Sequence, residues 1–183
     1  MAEGTPQARS ERHRYASRLA TPFLLVLALC ACNVATPPRI ASTGMAGDHA
    51  IAFVRPEGAV GLRANFAESL SDGLRDSGVT LSADGPLIAD FSIAKRDARE
   101  GLADPAAQQE GVAVNWDSAP RNRRIFDRCS AERLRATLVL FDRTDGSVAW
   151  RGSGELEACT IGKAQVEAMA NALVADMRAS RTR

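Results

Sequence analysis

The chain has 183 residues, with 23 Lys and Arg against 22 Asp and Glu, a formal charge of +1 and 45% hydrophobic residues. This is globular composition, which excludes a disordered or collagen-like chain, and the balanced charge argues against a nucleic-acid binder, whose domains are strongly basic. Two histidines and four cysteines leave little material for metal or nucleophilic chemistry.

Arg9, Arg12, His13, Arg14 and Arg18 outweigh Glu3 and Glu11 near the N-terminus, and residues 23–32 (FLLVLALCAC) are apolar throughout. A basic segment followed by about ten apolar residues is the pattern of an export signal. A membrane-spanning helix needs about 20 apolar residues, so the run is too short to remain as an anchor. The sequence Leu29-Cys30-Ala31-Cys32 resembles the bacterial lipobox. The resemblance implies that residues 1–31 are removed as a signal peptide and that Cys32 becomes the first residue, carrying a diacylglyceryl thioether. Ordinary cleavage near Ala31, releasing a soluble periplasmic protein, is the alternative. Asn33 after the cysteine resembles sorting to the outer membrane, which implies a domain facing the periplasm.

Residues 32–47 are small, polar and proline-containing, and read as the lipidated cysteine followed by a flexible tether. A single α/β domain then occupies residues 48–183. Residues 50–54 are a short apolar run stopped by Arg55-Pro56, a strand signal. Residues 57–77 place Val60, Ala64, Ala67, Leu70 and Leu74 at helical spacing, with Gly78 as the stop. Residues 79–81 read as a brief strand, and residues 87–94, after the turn Asp84-Gly85-Pro86, as a full one. Residues 96–133 are irregular, with Pro105, Gly111 and Pro120. Residues 134–141 and 148–156 flank a polar turn and form a β-hairpin with a four- or five-residue loop. Residues 161–179 form an amphipathic helix with Val166, Met169, Leu173 and Met177 on one face. The order β-α-β-β-β-β-α predicts an α+β fold, a mostly antiparallel sheet with two helices packed on one face.

A hairpin centred near Thr144 and Asp145 brings Cys129 opposite or nearly opposite Cys159. Cross-strand Cβ atoms lie about 4.5–5.5 Å apart, close to disulfide geometry, and the envelope is oxidising. A structural disulfide is expected, since a redox or metal pair has no CxxC spacing and no nearby histidine.

No catalytic constellation emerges. His49 is the one histidine left after cleavage, and no GxSxG elbow exists for it to serve. Zinc would have only Cys129, Cys159 and His49 to draw on. Gly152-Ser153-Gly154 lacks the third glycine of a dinucleotide loop, and no Walker or EF-hand sequence occurs. Glu155 and Glu157 share one strand face, read as solvated. No cofactor and no metal are expected.

The irregular segment carries Trp116 and the basic cluster Arg121, Arg123, Arg124 and Arg128. Aromatic plus arginine is the composition of protein-binding hot spots, and the arginines also suit lipid phosphates or an anionic glycan. The alternative is that Trp116 fills the core while the arginines form a solvated face paired with Asp117 and Asp127.

The run Ala89-Asp90-Phe91-Ser92-Ile93, then Leu138-Val139-Leu140-Phe141-Asp142, a turn with Gly146, and Trp150-Arg151-Gly152 resembles a family of small, mostly uncharacterised bacterial lipoproteins over about residues 48–180. More remotely, the strand–helix–strand start is similar to the α/β domains of penicillin-binding-protein activators and curli-secretion lipoproteins. These resemblances imply a binding or assembly protein. The expected function is a lipid-anchored envelope module that binds an envelope protein through Trp116 and the arginine cluster, with lipopolysaccharide or peptidoglycan as the alternative partner. A hydrolase would require His49 or the carboxylates to converge.

Overall fold

A five-stranded sheet forms the centre of the domain, in the order β1-β7-β6-β3-β2. The structure is a computed structural model and describes residues 35–103, 114, 116–122 and 129–181. The strands are β1 (Arg39–Gly44), β2 (Ile51–Phe53), β3 (Leu87–Asp97), β6 (Glu132–Asp142) and β7 (Val148–Ala158). A separate two-stranded ribbon joins β4 (Leu102–Ala103) to β5 (Trp116–Ser118). The helices are α1 (Gly61–Asp76) and α2 (Lys163–Ser180). All neighbours in the large sheet are antiparallel except β2 and β3, which run parallel across the α1 crossover. The α+β fold with two helices on one face is the predicted one.

Alternation along the strands assigns the faces. Leu134, Ala136, Leu138 and Leu140 of β6 are buried on the helical side with Leu87, Ala89 and Phe91 of β3 and Trp150 and Leu156 of β7. From α1 come Phe66, Ala67, Leu70 and Leu74; from α2 come Val166, Met169, Ala170, Leu173, Val174 and Met177. Phe66 meets Phe91 edge-on, with ring centroids 5.4 Å apart, joining α1 to β3. Burial of each large side chain here contributes about 1.5–3 kcal/mol.

The Trp-Arg-Gly step has a steric explanation. Trp150 is fully buried, and its indole lies along β7 so closely that a Cβ on Gly152 would overlap the ring. Gly154, two residues on, leaves room in the same way for Ile40 and Met169. These glycines belong to core packing.

Several boundaries differ from expectation. The helix expected over residues 57–77 begins at Gly61, because Gly58 in the preceding turn and Gly61 itself adopt positive φ of 67° and 58°, and Val60 lies outside it, 82% exposed. Its end is as expected: Gly78 takes φ 77°, with Gly78 N–H donating to Arg75 O and Val79 N–H to Leu74 O, a Schellman closure. The strand expected at residues 79–81 reduces to a single bridge between Leu81 and Ile51.

The flexible-tether reading of residues 32–47 is corrected for Arg39–Gly44, which form edge strand β1 paired along its length with β7. Composition reports that a segment lacks apolar surface; it does not report a neighbouring strand whose hydrogen bonds offset the ordering entropy. The hairpin also departs from its expected register. Leu140 pairs with Trp150 but Phe141 pairs with Val148, so Ala149 is an extra residue in a bulge. The bulge is used: the Ala149 carbonyl accepts from Met45 N–H at 2.9 Å as β1 ends.

Candidate functional site

The face of the sheet opposite the helices is polar and charged at one end, where β3 and β7 finish and β6 begins. Arg96 of β3, Arg133 and Arg135 of β6, and Glu155 and Glu157 of β7 alternate outward there, opposite the buried leucines. Register makes Arg133 the direct cross-strand partner of Glu157, and Arg135 that of Glu155. Arg133 Nε donates to Glu157 Oε1 at 2.9 Å, and its NH2 bonds the same oxygen. Arg96 and Arg135 approach Glu155 Oε1 at 3.7 and 3.8 Å.

Over this cluster lies a flap made of β4, β5 and their flanks. Its roots are backbone bonds: Ala98 N–H to Ala131 O, and Arg121 N–H to Ala98 O. Its clamp is Ser118, whose hydroxyl donates to Glu155 Oε2 at 3.0 Å and accepts from Arg133 NH1 at 2.7 Å and from Arg96. Arg133 NH1 also donates to Ala119 O at 2.6 Å. Asp117 meets Arg135 at 2.7 Å, and Arg121 meets Glu157 Oε2 at 3.6 Å. Burial is the largest influence on Arg96 and lowers its pKa, with Glu155 opposing and Arg133 and Arg135 adding repulsion. The hydrogen bond from Arg135 holds the Asp117 carboxyl below its ordinary value. The carboxylates thus serve as acceptors that bind guanidinium groups and, through Ser118, the flap.

The structure separates the residues singled out by sequence. Trp116 is on β5, 44% exposed, with its ring against Gly101; the tryptophan in the core is Trp150. The core-filling alternative for Trp116 is therefore overturned. Leu102 and Val114 on the same flap are also exposed. Arg121 is tied to Glu157, while Arg123, Arg124 and Arg128 lie outside the described residues, as do residues 1–31 and Cys32. Cys129 and Cys159 form a disulfide with Cα atoms 5.6 Å apart, joining the return of the flap segment to the end of β7. His49 is exposed ahead of β2, whose pairing with the start of β3 places it at the opposite end of the sheet from Glu155 and Glu157. Among the described residues no group of three or more His, Cys, Asp or Glu is arranged to hold a metal ion. No described helix is long and apolar enough to cross a membrane.

Sequence reasoning missed Arg96, Ser118, Arg133 and Arg135. The signal was present in part. An Arg-x-Arg on one hairpin arm facing Glu-x-Glu on the other is readable as complementary charge once the register is known, and the bulge at Ala149 altered that register.

No family model matches the chain, and no curated protein matches it. Among solved structures, the PelC dodecamer from Paraburkholderia phytofirmans is similar over 79% of this chain and 96% of its own, at 14% and 12% identity in two crystal forms, each with a TM-score of 0.42. A PDZ domain protein from Parabacteroides distasonis is similar at 16% identity and a TM-score of 0.44, over 84% of this chain and 37% of its own length. At these scores the likeness assigns this protein neither a partner nor an activity.

Proposed function

We propose that the chain is a cell-envelope lipoprotein, anchored through Cys32 at the outer membrane and facing the periplasm, whose domain is a non-catalytic binding or assembly module. Its contact with another envelope component is made through the flap that carries Trp116. The observation that carries this reading is the way Trp116 is held. A large aromatic ring stands 44% exposed on a ribbon fastened to the sheet by Ser118, Arg133 and Glu155 and bounded by a disulfide. A rigid, partly exposed tryptophan loses little conformational entropy on contact, which suits it to serve as an anchor residue. The export signal and the lipobox-like Leu29-Cys30-Ala31-Cys32 support the location.

The test is photo-crosslinking in intact cells, with a photoreactive amino acid in place of Trp116 and, as control, in place of Thr144 in the hairpin turn at the other end of the sheet. The reading expects an adduct from position 116 that position 144 does not give. Equal labelling at the two positions, or none at 116, contradicts it.

A further inference from the structure

The stretch linking the proposed anchor to the fold is very short. Sheet pairing reaches back past β1 to Thr36: its N–H donates to Glu157 O at 2.8 Å, and Glu157 N–H donates to Thr36 Oγ1 at 2.8 Å. Only residues 33–35 separate Cys32 from that fixed point. Four Cα steps of at most about 3.3–3.6 Å each allow a span of roughly 14 Å.

Glu157 lies at the flap end of the sheet. Its side chain binds Arg133 and Arg121, and Arg121 N–H is bonded to Ala98 at the root of the flap. From β1 across β7 and β6 to β3 there are three strand spacings, about 14 Å in all. The flap therefore roots at the end of the sheet where the chain enters the fold at Thr36, whereas the hairpin turn at Thr144 and the exposed His49 lie at the other end.

The chemistry of the flap fits what it would meet there. Leu102 and Trp116 on this small ribbon are 41% and 44% exposed, and Val114, two residues before β5, is 44% exposed. Tryptophan, with an apolar body and one polar N–H, favours the level of lipid headgroups. Most of the described carboxylates at this end are matched to cations: Asp97 to Arg99, Asp117 to Arg135, Glu132 to Lys95, and Glu155 and Glu157 to the arginine cluster, with exposed Glu100 the exception. An anionic bilayer surface therefore meets largely compensated charge and exposed apolar groups.

We infer that the envelope component met by the flap is the bilayer in which Cys32 is anchored: Trp116, with Leu102 and Val114, sits at the headgroup level and fixes the orientation of the sheet. The inference rests on the lipoprotein reading above and names the partner of the same surface. Lipid and flap then form a two-point attachment, in which the covalent anchor supplies residence and the aromatic contact supplies orientation. The far end of the sheet is turned toward the periplasm.

The test uses the lipidated protein purified from envelopes, with the acyl mass on Cys32 verified, reconstituted in phosphatidylethanolamine–phosphatidylglycerol vesicles. Trp150 is fully buried and provides a constant background, so emission lost in W116F is that of Trp116. Brominated lipids should quench most of that emission, and acrylamide should quench it several-fold less on vesicles than in detergent-free solution of the unacylated domain. Acylated protein whose Trp116 escapes brominated lipid and remains open to acrylamide overturns the inference alone, as does a protein adduct as the product of crosslinking at position 116. Purified protein without the acyl mass overturns the lipoprotein reading and the inference with it.

Discussion

Arg133 and Glu157 face each other across the β6–β7 hairpin, and the pair holds the guanidinium that bonds the flap at Ser118 and Ala119. The Arg133 side chain is 9% exposed and bonds Glu157, Ser118 and the Ala119 carbonyl together. A nearly buried guanidinium is costly unless each of its N–H groups finds an acceptor. The ribbon supplies two of those acceptors, so flap and hairpin stabilise each other.

Removing one partner should therefore be costly. Glu157→Ala leaves Arg133 without its carboxylate and should destabilise the domain by about 2–3 kcal/mol in chemical denaturation. Arg133→Met removes both the charge and its desolvation cost and should be milder. Limited proteolysis should cut Glu157→Ala first in the flap. Equal stability of wild type and Glu157→Ala would show that the pair does not hold the flap.

The disulfide is expected to act on stability and leave the fold unchanged. Cys129 and Cys159 are 30 residues apart, and closing such a loop is worth about 3–4 kcal/mol in the chain-entropy model. Replacing both with Ser should lower the denaturation midpoint while the circular dichroism of the native state is retained. The same loss should follow from adding reductant to wild type and should be absent in the double variant.

Trp150 and Gly152 should be energetically coupled. Gly152→Ala drives a methyl group into the indole and should cost about 1–3 kcal/mol. The indole Nε1 has no hydrogen-bond partner among the described residues, so Trp150→Phe loses packing but no hydrogen bond. The smaller ring leaves space for the methyl group added at position 152, and the double variant should be more stable than the sum of the two changes predicts. Additive costs would place the ring elsewhere.

This pair also shows what the sequence reveals and where it stops. The helical spacing of Val166, Met169, Leu173 and Met177 and the alternation through β6 and β7 correctly located α2, the hairpin and the core face, because burial imposes periods of 3.6 and 2 on the chain. The Cys129–Cys159 disulfide was expected from the hairpin, although the ladder that pairs Glu132 with Ala158 leaves the two cysteines beyond the strand ends and out of direct register. β1 was hidden because an edge strand needs only backbone hydrogen bonds, and Arg39–Gly44 has an ordinary loop composition. The arginine–glutamate cluster was hidden for a different reason: charged residues on a strand face read as solvated, and it takes the hairpin register to pair them and the flap to cover them.

A pH dependence follows from Glu132. Its carboxylate accepts from Lys95 Nζ at 2.8 Å and from Ile161 N–H at 2.7 Å, and these bonds hold its pKa below the usual value. A carboxyl whose pKa is lowered on folding adds stability above its unfolded pKa, near about 4.3, and loses it as pH falls through the folded value. Wild type should exceed Glu132→Gln in stability at pH 7, and the gap should close below about pH 4. A gap independent of pH would mean that the effect comes from packing.

The most direct test of the account is mass spectrometry of the N-terminal peptide of the protein isolated from its own cell envelope. The account predicts a chain that begins at Cys32 and carries a diacylglyceryl group on its sulfur. A chain that begins elsewhere, or at an unmodified Cys32, would contradict it and with it the short tether that brings the Trp116 flap to the membrane.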